Sequence, residues 1–413
     1  MFFSRPNRAI GIDIGSHSVK VVVMAKTGGR LRIEQVGFAQ IDRNKMNADP
    51  LAAQTEALGE AVGSIPMAKT LVVGALPGQS VVIRYPRLPQ MPQDKLSKAV
   101  ETEAGQNIPY DLAEVYLDWS LLRAETEGDE TNLKVLIVAA KHEVIESRVQ
   151  VAQECDVHYN ILSVDSLALA DAAETCNLLP GNETVALINL GAASTSIHFM
   201  KDGTSNFIRD VSWGAREIIQ AIAKAARCEF PQAEELLINW GEPPKAVAPV
   251  EEEAPPPPPP QMSKPAGDLG GLGDLGGSLL DPLDNELGDL GNSAPAPKPM
   301  APGKPAPLKL DMQEVCALPL NRLVSEIRRS FDFYEQQLYE HPVTRIILSG
   351  GIAQLPVIKE LLSEELGVEH VDVADPAACG LSINEGYSVS ALVKHPSQFM
   401  VAVGLAARGA AVL

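Results

Sequence analysis

A pattern that occurs twice constrains the fold of this chain more than any other feature. Residues 9–24 read AIGIDIGSHSVKVVVM and residues 185–200 read VALINLGAASTSIHFM. In both, an apolar strand ends in Asp or Asn, an apolar residue and Gly, and a small polar turn leads into a second apolar strand. Because each copy opens one half of the chain, the repeat predicts an α/β protein built from two related halves.

The turn of such a hairpin can bind an anion. Glycine has no β-carbon, so backbone N–H groups at the turn are accessible to a phosphate. Two hairpins that face each other would hold a chain of phosphates from both sides. The carboxylate of Asp13 is suited to a metal ion or its water shell. Either hairpin alone is also compatible with an ordinary tight turn.

A third stretch fits the same interpretation. Residues 345–362, RIILSGGIAQLPVIKELL, read as a buried strand that ends in Ser-Gly-Gly and leads into a helix. The bare glycine backbone there can lie flat against a purine and a ribose. The three elements in this order favour a nucleotide site over three unrelated turns.

Apolar runs that predict strands alternate with helical patterns through the rest of the chain. Helices are expected at about 142–154, over 166–175 and over 213–226. Residues 312–338 predict a long amphipathic helix, since Leu320, Val324, Ile327, Phe331 and Leu338 fall near one face.

One segment interrupts this alternation. Residues 241–308 hold 17 of the 32 prolines and a tract of Asp-Leu-Gly repeats at 267–291. Proline and glycine at this density cannot build a core, so we interpret the segment as a disordered linker. Its repeats predict either a solvated tether or a short docking motif, and the sequence does not decide between them.

Composition excludes several classes of protein. The net charge of −19 argues against nucleic-acid binding and against adhesion to an anionic membrane by charge alone. No apolar run approaches the ~18–20 residues that span a bilayer, and the first residues lack the order of a signal peptide. The five scattered cysteines show no CxxC spacing, which favours a reducing cytosol over a zinc site or a disulfide framework.

The three motifs together resemble the actin–Hsp70–hexokinase ATPase superfamily. Within it, the chain is similar to the PilM family of type IV pilus assembly proteins, relatives of the cell-division protein FtsA. Residues 163–172, SVDSLALADA, match the first connecting helix, and residues 398–409, QFMVAVGLAARG, match the second. The helix and the stretch NIPYDLAEVYLDW within 81–122 resemble a small inserted domain that PilM and FtsA share.

The resemblance implies a two-lobed fold with these boundaries. The lower lobe comprises 1–81, 159–182 and 375–413, and a small α+β domain is inserted at 82–158. The upper lobe comprises 183–240 and 309–374, interrupted by the linker at 241–308.

The resemblance also implies ATP and Mg²⁺ as cofactors and a role for each site residue. Asp13 would contact the metal or its water, and Asp165 would orient water, although Asp165 can equally be read as a helix N-cap. The remaining residues would contact the nucleotide: Ser16, His17 and Lys20 at the first phosphate turn; Asn189, Gly191, Ala192 and Ser194 at the second; and Gly214, Glu234, Gly350, Gly351 and Ile352 around the nucleoside.

Three positions depart from the family pattern. Asn189 stands where relatives have Asp, so one charge directed at the metal is missing. Leu237 stands where relatives have a lysine near the ribose, and Ala192 replaces a further glycine. These departures predict ATP binding with weak or no hydrolysis.

The resemblance implies a cytoplasmic scaffold, recruited to the inner membrane face, that captures the N-terminal peptide of a PilN-like membrane protein in a groove around 81–160. Service in a type II secretion-like assembly is an alternative, as is a cell-division tether of the FtsA type. The tether is disfavoured because the chain ends without a basic amphipathic tail. A sugar kinase would need a catalytic base, for which only Asp165 is a candidate. The sequence leaves self-association open.

Overall fold

The fold is described from a computed structural model, which covers residues 7–63, 65–127, 130–240 and 310–413. The linker predicted at 241–308 lies outside the described residues. The strands in chain order are β1 (Arg8–Ile14), β2 (Ser18–Thr27), β3 (Arg30–Gln40), β4 (Thr70–Leu76), β5 (Val81–Arg84), β6 (Arg87–Pro89), β7 (Val115–Glu127), β8 (Glu130–Lys141), β9 (Ile161–Val164), β10 (Thr184–Leu190), β11 (Thr195–Lys201), β12 (Thr204–Val211), β13 (Arg345–Gly350), β14 (His370–Val373) and β15 (Ser382–Ile383).

The helices follow the amphipathic patterns of the sequence. They are α1 (Arg43–Ala48), α2 (Pro50–Val62), α3 (Gln93–Asn107), α4 (His142–Gln153), α5 (Asp165–Thr175), α6 (Ala215–Ala226), α7 (Phe230–Ile238), α8 (Met312–Asp332), α9 (Pro356–Leu366), α10 (Ser390–Lys394) and α11 (Met400–Ala411). The long helix predicted over 312–338 is confirmed as α8 followed by a turn of π-helix at Phe333–Gln337.

The predicted repeat extends beyond the two hairpins to whole sheets. The first sheet has the order β15-β3-β2-β1-β4-β9 and the second β12-β11-β10-β13-β14. In each, an antiparallel meander (β1 to β3, β10 to β12) continues into parallel strands, β4 and β9 in one and β13 and β14 in the other. The chain therefore forms the same arrangement twice. In both sheets, the hairpin turn follows the carboxyl end of the first strand of the meander, β1 or β10.

The third sheet belongs to the predicted insertion. Strands β5, β6 and β7 all pair with β8, and α3 packs on this sheet through Leu96 and Val100. By contrast, α4 packs on the first sheet, where Val151 and Ala152 join the core that includes Leu58 of α2. The boundaries proposed for the domains stay predictions, but α4 shares its core with the first sheet.

Helices α5 and α11 cross in close backbone contact. A β-carbon at Gly404 of α11 would lie 1.7 Å from the carbonyl oxygen of Ala168 in α5, and one at Gly11 would lie 2.2 Å from that of Ala402. Only glycine allows these approaches. Helix α11 is therefore packed tightly against β1 of the first hairpin and against α5.

In the described part of the chain, no helix combines the length and apolar character needed to cross a membrane.

Candidate functional site

The first hairpin carries Asp13 at its rim. Asp13 lies opposite Lys20 in the β1–β2 ladder, and the lysine Nζ is 3.4 Å from Asp13 Oδ2. Ser16 and His17 form the turn, which is closed by a hydrogen bond of 3.1 Å from the N–H of Gly15 to the carbonyl oxygen of Ser18. The carboxylate, the ammonium group and the turn thus occur together, as the motif predicted.

The second hairpin repeats this geometry. The N–H of Gly191 donates to the carbonyl oxygen of Ser194 at 3.0 Å, which closes a turn that contains Ala192. Asn189 lies opposite Ser196 in the β10–β11 ladder. Its Oδ1 accepts a hydrogen bond of 3.3 Å from the hydroxyl of Ser349 on β13. The amide of Asn189 is therefore held by the neighbouring strand.

The N-terminus of α6 fixes the second turn. The N–H groups of Ala215 and Arg216 donate to the carbonyl oxygens of Gly191 and Ala192, each at 3.0 Å. A β-carbon at Gly214 would lie only 2.5 Å from the carbonyl oxygen of Ala192. Gly214 therefore allows the helix to approach the turn.

Two contacts join the first turn to the second half of the chain. The guanidinium of Arg216 donates to the carbonyl oxygen of Ser16 at 2.7 Å. Nε2 of His17 lies 3.2 Å from Oε1 of Glu234 on α7. Burial lowers the pKa of His17, although the Glu234 carboxylate acts in the opposite direction. The first turn is therefore in contact with α6, whose N-terminus holds the second turn, and with α7.

The Ser-Gly-Gly stretch ends β13 beside the second hairpin. Gly350 has a φ of +99°, and a β-carbon there would lie 2.3 Å from the carbonyl oxygen of Leu190. The N–H of Gly351 donates to the same oxygen at 3.2 Å. A β-carbon at Gly351 would meet nothing within 4 Å, whereas Ile352 is buried in the core. The backbone at Gly351 is thus open on its side-chain face.

Asp165 is the first residue of α5, and its side chain connects α5 to the backbone at Gly78. Its Oδ1 accepts hydrogen bonds from the N–H of Gly78 at 3.0 Å and from that of Ser166 at 2.6 Å. Burial, and then the nearby carboxylates of Asp210 and Asp13, raises its pKa to about 7. Asp165 therefore holds the start of α5 and can also exchange a proton near neutral pH.

The sequence analysis missed Arg148 and Asp210. Arg148 on α4 is buried, donates to the carbonyl oxygen of Ile14 at 3.4 Å, and interacts electrostatically with Asp13 and Asp165. Asp210 on β12 lies opposite Ser196, and burial raises its pKa. Both residues come from elements distant in sequence, so no local motif could have indicated them.

Leu237, which the sequence analysis placed near the ribose, packs in the core of the second half. Where the sequence analysis noted the missing lysine, the fold therefore has a leucine that belongs to the core.

Asp13, the residue that the sequence analysis assigned to a metal ion, is the carboxylate at the rim of the first turn. Across residues 7–63, 65–127, 130–240 and 310–413, no three His, Cys, Asp or Glu side chains are grouped as a metal centre.

The family model for "Type IV pilus assembly protein PilM" matches residues 11–246 and 312–410. The solved "PilM-PilN type IV pilus biogenesis complex" is 20% identical, covers 97% of this chain and 98% of that chain, and has a TM-score of 0.70. The ethanolamine utilization protein EutJ from Carboxydothermus hydrogenoformans is 12% identical over 98% of this chain and 90% of that one, with a TM-score of 0.49.

MreB 5 of Spiroplasma citri, solved with AMPPNP, is 14% identical over 97% of this chain and 95% of that one, with a TM-score of 0.44. The family match spans both hairpins, both connecting helices and the Ser-Gly-Gly strand. The chain therefore belongs to the family of the type IV pilus assembly protein PilM.

Proposed function

We propose that this chain binds ATP with Mg²⁺ between its two hairpins, hydrolyses it slowly or not at all, and serves as a pilus-assembly scaffold that captures the N-terminal peptide of a PilN-like membrane protein. The observation that carries the nucleotide half is the pair of equivalent turns, closed by matching hydrogen bonds of 3.1 and 3.0 Å and connected by the contact of Arg216 with Ser16.

The charges around the turns suit a polyphosphate. Lys20 lies behind the first turn, and Arg216 reaches the carbonyl oxygen of Ser16 from the second half of the chain. Both cations would attract phosphate oxygens. The open face of Gly351 leaves room for the flat part of the nucleoside.

Slow ATP turnover is expected because the groups available to position the attacking water are weak. Asn189 brings an amide where a carboxylate would help to orient the hydrated metal. One oxygen of Asp165 is already engaged by Gly78 and Ser166, which leaves the other to hold or accept a proton. Mg²⁺, when bound, would neutralise phosphate charge. The site is thus suited to holding ATP.

Calorimetry with ATP and magnesium tests this half of the proposal. We expect measurable binding by the full chain, weaker binding by Asp13→Ala, and unchanged binding by Asp94→Ala, which removes an exposed carboxylate of α3. Lack of binding by the unaltered protein would reject the nucleotide assignment and leave the fold as a scaffold.

The peptide half is supported by an aromatic surface on the inserted sheet. Tyr116 is 59% exposed, and its ring centroid lies 4.5 Å from that of His142 at the start of α4. The ammonium group of Lys141 lies 4.5 Å from the ring centroid of Tyr110. We call Tyr110, Tyr116, Lys141 and His142 the tyrosine face.

The tyrosine face lies where the third sheet meets α4, which packs on the first sheet. Within the described residues, β7 pairs only with β8, so its other edge is available to an extended peptide. Such a peptide would add main-chain hydrogen bonds along β7 and place apolar side chains against the tyrosines. Capture there would recruit the chain to the inner membrane face through its partner.

The test compares two exposed tyrosines. Tyr116→Ala should weaken binding of the N-terminal PilN-like peptide about tenfold, which corresponds to ~1.4 kcal/mol. Tyr339→Ala, a matched change at a tyrosine that is 91% exposed on the second half, should leave binding unchanged. Deletion of 82–158 is a poor test, because it also removes the core contacts of α4. If both substitutions weakened peptide binding equally, or if neither weakened it, the assignment of the groove to the tyrosine face would be contradicted.

A further inference from the structure

The inserted sheet, β5 to β8, is joined by the chain to the first half of the protein but also contacts the second half. The chain enters and leaves it between β4 and β9, which are both strands of the first sheet. Between β5 and β6, however, Tyr85 places its hydroxyl oxygen 2.7 Å from that of Ser205 on β12 of the second sheet. The inserted sheet therefore bridges the two halves.

A buried carboxylate strengthens this docking. The side chain of Glu340, which follows the turn of π-helix, is only 5% exposed, and it accepts a hydrogen bond of 2.7 Å from the ammonium group of Lys201 on β11. From the inserted sheet, Arg87 on β6 lies 3.5 Å and Lys134 on β8 lies 3.9 Å from Oε1 of Glu340. Lys134 also donates to Asn206 on β12. Separation of the sheets would leave these buried charges without partners, which is costly.

The contact of Tyr85 continues into the core of the second half. On β11, Nε2 of His198 lies 2.7 Å from the hydroxyl oxygen of Ser205, and Nδ1 lies 2.9 Å from the carbonyl oxygen of Ser166 in α5. His198 is fully buried, and this burial lowers its pKa to about 4. The imidazole is therefore neutral at pH 7 and carries a single N–H.

The direction of each hydrogen bond follows from the groups that are present. A carbonyl oxygen can only accept, so Nδ1 of His198 must carry the proton and donate it to Ser166. Nε2 then has only a lone pair and accepts from the hydroxyl of Ser205. The Ser205 oxygen in turn accepts from the hydroxyl of Tyr85, whose pKa is raised by burial, so that its proton is retained. The chain of hydrogen bonds thus has one direction, from the inserted sheet to α5.

This chain ends one residue from Asp165. The Oδ1 of Asp165 accepts hydrogen bonds from the N–H of Ser166 and from that of Gly78. Gly78 lies in the turn between β4 and β5, at the base of the inserted sheet. A β-carbon at Gly78 would lie 2.5 Å from Oδ2 of Asp210. Contacts therefore run from the inserted sheet through the second sheet to the proposed nucleotide site, and from there back to the base of the insertion.

We propose that the chain Tyr85–Ser205–His198 couples the inserted sheet to the nucleotide site, so that ATP and a peptide on the tyrosine face each strengthen the binding of the other. The inference rests on the proposed function and names the regulation of its two sites. A peptide that adds a strand to β7 would order the inserted sheet and, through Tyr85, the start of α5. ATP would then bind a protein whose Asp165 is already held, with a smaller loss of conformational entropy.

Calorimetry of the full-length protein measures the coupling. ATP with magnesium is titrated in the absence and in the presence of a saturating concentration of the N-terminal PilN-like peptide. We expect the peptide to lower the Kd for ATP about fivefold, and ATP to lower the Kd for the peptide by the same factor, because coupling between binding free energies is reciprocal.

Two matched variants test the route. Tyr85→Phe removes a single hydroxyl group and should still bind each ligand, but the effect of one ligand on the other should fall below about twofold. Tyr339→Phe removes the same group from a tyrosine that is 91% exposed, and it should keep the full effect.

Hydrogen exchange without ligands tests the contacts themselves. In Tyr85→Phe we expect faster amide exchange in β12 and at the start of α5 as well as in the inserted sheet, because the chain has lost its first donor. Tyr339→Phe should leave exchange in these segments unchanged. Faster exchange in the inserted sheet alone would show that the chain does not reach α5, and the proposal would be wrong.

The calorimetric outcomes separate this inference from the proposed function. If both ligands bind the unaltered protein and neither changes the affinity of the other, the coupling is refuted and the proposed function stands. Full coupling in Tyr85→Phe would refute the route through this hydroxyl. If ATP or the peptide does not bind at all, the proposed function fails for that site, and the coupling fails with it.

Discussion

Asp13 and Asn189 occupy equivalent positions in two hairpins of the same build. Asp13 precedes the last residue of β1 and lies opposite Lys20, and Asn189 precedes the last residue of β10 and lies opposite Ser196. The charged pair of the first hairpin thus becomes a neutral pair in the second. We propose that this asymmetry weakens nucleotide turnover more than nucleotide binding.

Asn189→Asp is expected to raise ATP turnover. A carboxylate would bring negative charge toward the hydrated metal, and it could still accept the hydrogen bond from Ser349. Loss of one positioning group commonly costs on the order of 10²-fold in rate. We therefore expect the unaltered protein to turn over well below the ~1 s⁻¹ low end of typical enzymes. Phosphate release under single-turnover and steady-state conditions measures both proteins.

Asn44→Asp, at an exposed residue of α1, is the matched control for added charge and should leave the rate unchanged. If the unaltered protein hydrolyses several ATP molecules per second, the argument from Asn189 is wrong. Another residue then orients the water.

Asp165→Asn is expected to change how stability depends on pH. In the folded protein the pKa of Asp165 is about 7, against 3.8 for an unperturbed aspartate. The folded state therefore holds this proton more tightly, and this group's contribution to stability falls as the pH rises from about 4 to 7. The asparagine has no such proton to lose, and its Oδ1 can accept the same hydrogen bonds.

Urea unfolding at pH 5 and pH 8 measures the effect. The free energy of unfolding of Asp165→Asn, minus that of the unaltered protein, should be about 2 kcal/mol larger at pH 8 than at pH 5, so that the variant is relatively more stable at pH 8. The same difference between the two proteins at both pH values would show that the carboxyl group does not titrate in this range.

Gly404→Ala is expected to destabilise the fold by about 3 kcal/mol, because the new methyl group would overlap the carbonyl of Ala168 and the backbone must shift. Gly181→Ala makes the same chemical change where a β-carbon meets nothing within 4 Å, and it should change stability by less than about 1 kcal/mol. Denaturant unfolding measures the stability of both variants. Equal losses in the free energy of unfolding would reject the close crossing of α5 and α11.

Deletion of 241–308 is expected to leave the melting temperature nearly unchanged. Trp240 and Leu310, the described residues at the two ends of this gap, pack against the same core cluster, so a short glycine-serine link can join them. Changes of loop length commonly cost about 1 kcal/mol or less. Differential scanning calorimetry that gives a fall of more than about 10 °C would contradict the interpretation of this segment as a linker.

Local signals were sufficient to predict the two hairpins and the Ser-Gly-Gly strand, because the alternation of apolar residues and the turn glycines specify these elements directly. The second connecting helix, α11, was indicated only by the family resemblance. Helix α2 was missed, although Asp49 caps it through the N–H of Ala52 and Pro50 opens it, which is a readable start signal. Strands β14 and β15 are too short to carry a pattern.

The candidate site was predicted only in part, for a different reason. The contact of Arg216 with Ser16 and the burial of Arg148 below Ile14 both join segments far apart in the chain. Such contacts depend on how the two halves pack, which periodicity does not report. The same limit explains why the burial of Leu237 was not predicted. Its position on α7 matches the family spacing, but its side chain faces the core.

The crossing of α5 and α11 also restricts how a sequence with this fold can diverge. In a core, a changed apolar side chain can be accommodated when its neighbours repack at similar total volume. Where Gly404 meets the peptide group of Ala168, there is no neighbouring side chain to repack. A second mutation therefore cannot compensate for the first. In homologous chains we expect substitutions to accumulate in the cores and loops while this crossing keeps its small residues, which would make it a reliable anchor for aligning distant relatives.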